Sequence, residues 1–517
     1  MRTSVVAAVA GVLVLAAGAG YYGHEVYLQQ RFRTGLDQTL AALPPHTIAT
    51  YKDAHYSVMS HQAVVTGLTL HAEIAGHTPQ QIDITIDSIE TENPNLDLPS
   101  SWNKAVADKA AFTSEMALPV ADSITVNGVT VHSAAITMTE DSFRIDKLRV
   151  YPWAFLHDGM PALEEIRTSL APRSQPPTLA DLQPLLRAEA AAMLGIAYDA
   201  YHAGTTKVAA TLPAIEIAYA VNHMTGDGFD RGVMKGGSAE GITGNSTKSG
   251  TFSVDRIAMG ASDFREPMTR IVNGEALSPA LLNGVRIGRI EYGGITVQPP
   301  GQPSFHLGSL SIGPVAFAQG MPVSGTLAWQ DISVSRSQLP DGKARDAFTK
   351  LGLETTTTSF ALSYDWDVAQ QRASLHDTML KVNELGAITV SADLTNVVAN
   401  VASLNQTQLA HAKLRFEDAS LVDRLLRAGA AQAGVDPTAY RQQIAGMMRQ
   451  PSGKAGENSP LLAAVGQTLG DFITSPHSLT VELSPPAPVS FISLQRAATV
   501  PATIADMLGL AVSANQP

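Results

Sequence analysis

The chain has no cysteine. Disulfides, thiolate zinc sites, cysteine nucleophiles and a lipidated cysteine are therefore excluded, and stability rests on packing. Charge is also sparse. Asp, Glu, Lys and Arg make up 16% of the 517 residues, against roughly 25% in a typical soluble protein, which excludes long acidic or basic tails. The net charge is -12 and no dense Lys/Arg stripe is present. Without clustered cations to displace counterions from a duplex, nucleic acid is not expected as a partner. Three catalytic signatures are missing as well: the Gly-x-Ser-x-Gly elbow, the phosphate-binding Walker loop and His-Glu-x-x-His.

One long apolar run is present, at the N-terminus. Arg2 is followed by no charged residue until Glu25, and Val5–Tyr22 is uninterruptedly apolar. That is just enough to span a bilayer, which takes about 20 residues. A signal peptide cleaved near Ala17-Gly18-Ala19 is one reading. A retained signal-anchor with Tyr21 and Tyr22 at the interface is the other, and the length and the tyrosine pair favour it. No second run of this length occurs, so one crossing is expected, with the body exported. In a bacterium this places residues 5–22 in the inner membrane and the body in the periplasm.

At this length two or more domains are expected. Residues 1–24 are the anchor. Residues 25–160 open on a helix, EVYLQQRFRTGLDQTLAAL, ended by Pro44-Pro45, and continue as period-two segments such as LTLHAEI and IDITID that read as strands. SITVNGVTV carries the hairpin dipeptide Asn127-Gly128. No helix separates these strands, so the sheet is an antiparallel meander. Residues 161–205 read as a helical insertion, with helices in PALEEIRTSL and in LADLQPLLRAEAAAMLGIAYDAYHA. Residues 206–400 return to strands. Their Gly-rich stretch GDGFDRGVMKGGSAEGITGNSTKSG reads either as a mobile loop or as strands whose glycines allow close backbone approach. Residues 401–517 carry three helices, ASLVDRLLRAGAAQAG, DPTAYRQQIAGMMRQ and PLLAAVGQTLGDFI. Asp418 or Ser420 caps the first, and Asp436-Pro437 opens the second. SLTVELSPPAPVSFISL is extended, and PATIADMLGLAV closes with a short helix; as a whole the region reads as helical with a terminal strand. The fold class is thus mainly β with α-helical insertions (α+β): a transmembrane helix, an extended, curled antiparallel sheet and a helical C-terminal region.

One step recurs: VTGLTL (Val65–Leu70), VNGVTV (Val126–Val131), LNGVRI (Leu282–Ile287) and YGGITV (Tyr292–Val297). The bare pattern also matches VAGVLV in the anchor, MLGIAY in the predicted insertion helix and MLGLAV near the end, so it is nonspecific. Extended, alternating surroundings distinguish the four. They read as strand entries with a glycine bend, a mark of architecture.

The single anchor, the repeated step and the meander resemble AsmA-like and YdgA-like envelope proteins of Gram-negative bacteria. That resemblance implies a curled sheet with an apolar groove, linked to lipid traffic or envelope assembly. The ending is more particular. Phe416-Glu417 leading a helix, Pro485-Pro486-Ala487-Pro488-Val489 after a strand and Asn515 at the close resemble an uncharacterised alphaproteobacterial family.

Candidate chemistry is thin. Ser101-Trp102-Asn103-Lys104 and Lys248-Ser249-Gly250 echo penicillin-binding enzymes, but no Ser-x-Asn element lies between them, and Ser101 follows Pro99-Ser100 where a buried helix is needed. His46, His55, His61, His71 and His77 lack the converging spacing and carboxylate partner of a metal site. Glu164-Glu165 fit a solvated helix face, and Asp365 and Asp367 the exposed face of a strand. No catalytic, cofactor-binding or metal residue is assigned, and no cofactor is expected. The function expected is non-enzymatic: an anchored envelope protein whose sheet holds lipid or another envelope protein in an apolar groove. The alternative is a periplasmic hydrolase acting on cell wall or exopolysaccharide, which requires a polar cleft with a nucleophile or carboxylate pair.

Overall fold

The computed structural model describes residues 25–41, 47–74, 80–108, 112–159, 179–212, 215–276, 278–398, 406–450, 460–497, 505 and 507–516. It is a mixed α+β protein with a largely antiparallel sheet and helices gathered toward the C-terminus. The chain divides into two compact units, one up to Ile290 and one from Glu291. Among the described residues no helix is long and apolar enough to cross a membrane; the apolar run Val5–Tyr22 lies outside them.

In the first unit, helix Glu25–Ala41 precedes a meander. Strands Thr47–Thr50 and Asp53–Ser57 both pair with Gln62–Ile74, which is followed across the sheet by Gln80–Glu92, Leu118–Ser133 and Ile136–Val150. The far side of Ile136–Val150 receives three short strands, Ile196–Tyr198, Ala200–Ala203 and Thr206–Leu212. Ile215–Val221, Gly237–Ser246 and Gly250–Met259 continue the ladder. The alternation of Ile82, Ile84 and Ile86 sends all three to one face, where they are buried with Val65, Val126 and Val131 and with Phe32 and Leu36 of the first helix. This is the main core.

The recurring glycine step breaks that alternation in register on neighbouring strands. Residues three apart should lie on opposite faces of a sheet. Val65 and Leu68, Ile86 and Ile89, and Val126 and Val129 are nevertheless all buried on the core side. Between them Gly67, Asp87 and Gly128 stand abreast on three adjacent strands. Gly67 (φ +60) and Gly128 (φ +62) adopt the left-handed backbone that lets the pleat slip by one residue, so Asn127-Gly128 is a kink within the strand Leu118–Ser133 and not the hairpin turn its dipeptide suggests. The same row crosses the later strands, where Gly241 (φ +62) faces Asn222. Aligned glycine kinks are the device by which sheets acquire curvature.

The second unit continues in antiparallel pairs. Its strands Phe305–Ile312, Met321–Ser335, Thr355–Asp367, Arg372–Val382, Gly386–Thr395, Gln408–Asp418, Ser478–Leu483 and Leu510–Ala514 are neighbours in that order. Its buried cluster is small: Val422, Leu426 and Phe472, packed with Phe416 and Leu479. Helices Leu421–Ala433, Pro437–Arg449 and Pro460–Thr474 form where the sequence places them. The Asp436 side chain accepts hydrogen bonds from Thr438 N (2.8 Å) and Ala439 N (3.0 Å). The Asp418 carboxylate, rather than the Ser420 hydroxyl, caps the first of them by accepting from Val422 N at 2.9 Å. The Ser420 hydroxyl donates to Glu384 O.

Several expectations are corrected. The insertion helix stops at Leu194 and does not run to Ala203, because Gly195 lies against the Phe155 ring and Ile196 begins a strand. PALEEIRTSL and Glu164-Glu165 lie outside the described residues. The chain closes on the terminal strand expected of it, Leu510–Ala514, which follows helical residues 507–508 and leaves Gly509 (φ +56), so the short helix of PATIADMLGLAV does not extend into LAV. Both MLGIAY and MLGLAV are therefore helix-to-strand switches at glycine. LNGVRI holds a turn after a short 3-10 helix instead of a strand kink: Gly284 (φ +81) sits against the Glu266 carboxylate. The Gly-rich stretch is strand-bearing, since Gly237–Ser246 pairs along its length with Gly250–Met259. Within it Gly244 leaves room for the Phe252 ring. Helices Leu98–Ala107, Arg265–Val272 and Lys343–Leu351 interrupt segments read as strand or loop.

Candidate functional site

The second unit presents one apolar and one polar sheet face. Paired residues of an antiparallel ladder point to the same side. One transverse row runs Trp329, Phe360, Leu380, Ile388, Phe416, Leu479 and Ala514. The next runs Thr378, Val390, Leu414, Val481 and Val512. A third runs Leu375, Ala392, Ala412, Leu483 and Leu510. Trp329 and Phe360 stack at 4.3 Å between centroids. The helices pack on the end of this face at Phe416 and Leu479. Farther along it is open. Leu380 is 42% exposed, Ile388 39% and Leu414 38%, on three consecutive strands. Together they form a small contiguous aliphatic patch on an otherwise packed sheet face.

The opposite face is polar and internally paired. His376 bonds Asp365, His411 Nε2 lies 3.3 Å from Glu482 Oε1, and Ser374 donates to Asp393 at 2.8 Å. These are half-exposed cross-strand pairs of the kind that contributes little to stability.

At one end of the polar face a cleft of about 630 Å³ is lined by Arg415, Glu417, Asp418, His477, Ser478 and Asn515, among others. Its walls are tied to one another. Arg415 Nε donates to Glu417 at 2.9 Å. Asn515 Oδ1 accepts from His477 N (3.1 Å) and Ser478 N (3.3 Å), and Asn515 N donates to Ser478 O at 2.7 Å. Asp418 donates its own N–H to His477 O at 2.8 Å, and burial raises its carboxyl pKa, opposed by the Val422 N–H bond. The acidic residues before the helix and the terminal asparagine, far apart in sequence, thus meet in one place. Ser475 Oγ lies 3.4 Å from His477 Nδ1, but that ring nitrogen also faces Ser475 O at 3.2 Å, the geometry of a local turn. The arrangement can bind a polar group. It lacks an oriented nucleophile and base.

In the first unit, Glu140 is buried on the core side. It belongs to a row that runs Leu68, Ile86, Val129, Glu140, Thr206 and Val221. Burial raises its pKa to about 7, with the Tyr201 hydroxyl lowering it and the Asp141 carboxylate raising it further. Its Oε1 and the neighbouring Thr206 Oγ1 are both buried without a hydrogen-bond partner. Sequence reading passed over this residue, although Ile136 and Met138 at alternate positions put Glu140 on their face.

The candidates weighed from sequence are not brought together. Ser101 and Lys104 do share a helix, Leu98–Ala107, contrary to expectation. Lys248, however, sits in the exposed turn of the hairpin joining Gly237–Ser246 to Gly250–Met259, its N–H on Ser246 Oγ. His71 Nδ1 pairs with Asp83 at 2.6 Å across two strands, His55 lies 3.8 Å from Asp53, and His61 holds a turn (φ 49). His46 and His77 lie outside the described residues. Asp365 binds His376, and Asp367 accepts from Gln370 N in a turn. Among the described residues no group of three His, Asp or Glu could hold a metal ion.

Fold and surface together define an α+β protein built on kinked antiparallel sheet with a one-sided apolar face. A family model described only as "Uncharacterized protein" matches residues 379–515, the segment that holds the cleft and much of the open apolar face. No curated protein matches the chain, and no solved structure does.

Proposed function

We propose that this is a non-enzymatic envelope protein, held at the bacterial inner membrane by residues 5–22 with its body in the periplasm. Its task in this reading is to hold lipid acyl chains against the apolar sheet face of the second unit. One observation carries it: Leu380, Ile388 and Leu414 are partly open to solvent in the middle of a face whose rows are apolar apart from Thr378. Covering such a face with water costs about 25 cal/mol per Å² of apolar surface, and an acyl chain removes that cost without needing polar contacts. The AsmA-like and YdgA-like resemblance favours the same reading.

The test is mass spectrometry of lipid extracted from the full chain after exchange into a detergent absent from the cell. Stoichiometric retention of phospholipid or fatty acid is expected. Recovery of none, from folded protein, removes lipid binding as the function.

A further inference from the structure

We propose that the outer edge of strand Leu510–Ala514 pairs with the same strand of a second copy, antiparallel and centred on Val512. This inference is independent of the lipid reading.

The backbone sets the geometry. Asn515 N donates to Ser478 O and Gly509 O accepts from Ser484 N, so residues 509 and 515 turn their polar groups toward strand Ser478–Leu483. Antiparallel ladders alternate hydrogen-bonded and non-bonded pairs. Ala511 and Ser513 therefore also face inward, while Leu510, Val512 and Ala514 direct N–H and C=O away from it. Among the described residues no strand takes up those groups.

Proteins protect such edges with lysine, proline, bulges or a covering element. Another edge strand of this chain shows that device. On Asp53–Ser57, Arg33 Nε donates to Ala54 O at 2.7 Å, Gln29 Oε1 accepts from Tyr56 N at 3.2 Å, and Arg33 ion-pairs with Asp53. Helix Glu25–Ala41 thus satisfies that edge. The sequence LAVSA has no charge, no proline and no bulge, and the helix cluster that reaches it meets the Ala514 side chain on the sheet face.

The edge also complements itself. About a two-fold axis at Val512, Leu510 meets Ala514 of the second copy and Val512 meets its own counterpart. Three hydrogen-bonded pairs give about six backbone bonds. The side chains of Leu510, Val512 and Ala514 all lie on the apolar face, so the two apolar faces join on one side without a charge at the seam. A two-fold interface requires such self-complementarity.

The absence of cysteine makes a clean test possible in the full chain in detergent micelles. Val512→Cys should give a reducible dimer band under mild copper-phenanthroline oxidation, because opposed Cα atoms in such a pair lie within disulfide range. Ser57→Cys, on the helix-covered edge, should stay monomeric. Val512→Pro removes only an outward N–H, a position where edge strands tolerate proline. It should shift the protein mass measured by light scattering from two chains to one without changing the circular dichroism spectrum. A wild-type mass of one chain at tens of micromolar overturns the proposal, as do Val512→Cys cross-linking no faster than Ser57→Cys and a dimer that survives Val512→Pro.

Discussion

The Asp87 carboxylate occupies the space that a side chain at Gly128 would need: a Cβ there would stand 2.0 Å from Asp87 Oδ2. Asp87 and Gly128 face each other on adjacent strands, and Gly128 also has φ +62. Two separate penalties therefore attach to Gly128→Ala: left-handed backbone, about 1–2 kcal/mol, and displacement of Asp87. Gly274 separates them, since it has φ +83 with nothing within 4 Å of its would-be Cβ. Thermal unfolding should show Gly128→Ala costing more than Gly274→Ala. Adding Asp87→Ala should recover only the difference. Equal losses at the two glycines would mean the carboxylate yields freely.

This row shows what could be read in the sequence and what could not. VTGLTL and VNGVTV gave away their glycines, but the informative feature is the spacing of three between Val65 and Leu68 and between Val126 and Val129. A period-two reading treats such spacing as a break in the strand, while the fold uses it as an aligned slip. Helices with caps written in sequence, such as Asp436-Pro437, were legible. Arg265–Val272 and Lys343–Leu351 were not, because each is short and charged, and the left-handed stop at Gly352 is shared with many turns. Ile196–Ala203 was read as helix because it carries on the alanine-rich helical pattern of the segment before it; pairing with Ile136–Val150 overrides that preference. The cleft joining Asp418, His477 and Asn515 is a product of register, which no local pattern reports.

Glu140 makes stability depend on pH. Its carboxyl is pushed up to about 7 in the folded protein from an ordinary 4.5, chiefly because burial disfavours the charge. The folded state therefore holds the proton more tightly than the unfolded chain. Stability is highest below the unfolded value, falls as pH rises from 4.5 to 7 and stays reduced above 7. The span corresponds to roughly 3 kcal/mol. Denaturant unfolding of Glu140→Gln should lose this slope and exceed wild type at pH 8. A slope unchanged in Glu140→Gln would assign it to another group.

Asn515 fastens the last strand. It sits at φ +55, where asparagine is tolerated better than other side chains, and its Oδ1 accepts from both His477 N and Ser478 N. Asn515→Ala should cost roughly 2 kcal/mol from backbone strain and lost hydrogen bonds. Asn515→Gly should cost less, because it relieves the backbone and loses only the side chain. Amide exchange at His477 and Ser478 should quicken in both variants. Unchanged protection there would show that the strand is held without Asn515.

The open apolar face offers the most direct separation of function from stability. Leu380, Ile388 and Leu414 are more than a third exposed, so a polar replacement should cost roughly 1–2 kcal/mol at each, less than at a fully buried core position. Carboxylates at these positions would nevertheless place charge where an acyl chain is proposed to lie, and desolvating that charge opposes binding. Leu380→Asp combined with Ile388→Asp sets two carboxylates opposite each other across the ladder and should lower the melting temperature, yet the protein should stay folded by circular dichroism while the lipid recovered by mass spectrometry falls at least tenfold. The matched change on the opposite face, Thr389→Asp, should leave lipid recovery unaltered, because Thr389 pairs with Met379 and Arg415 on the polar side. Equal lipid recovery from the double variant and wild type would detach the lipid from this face and with it the reading proposed for the second unit.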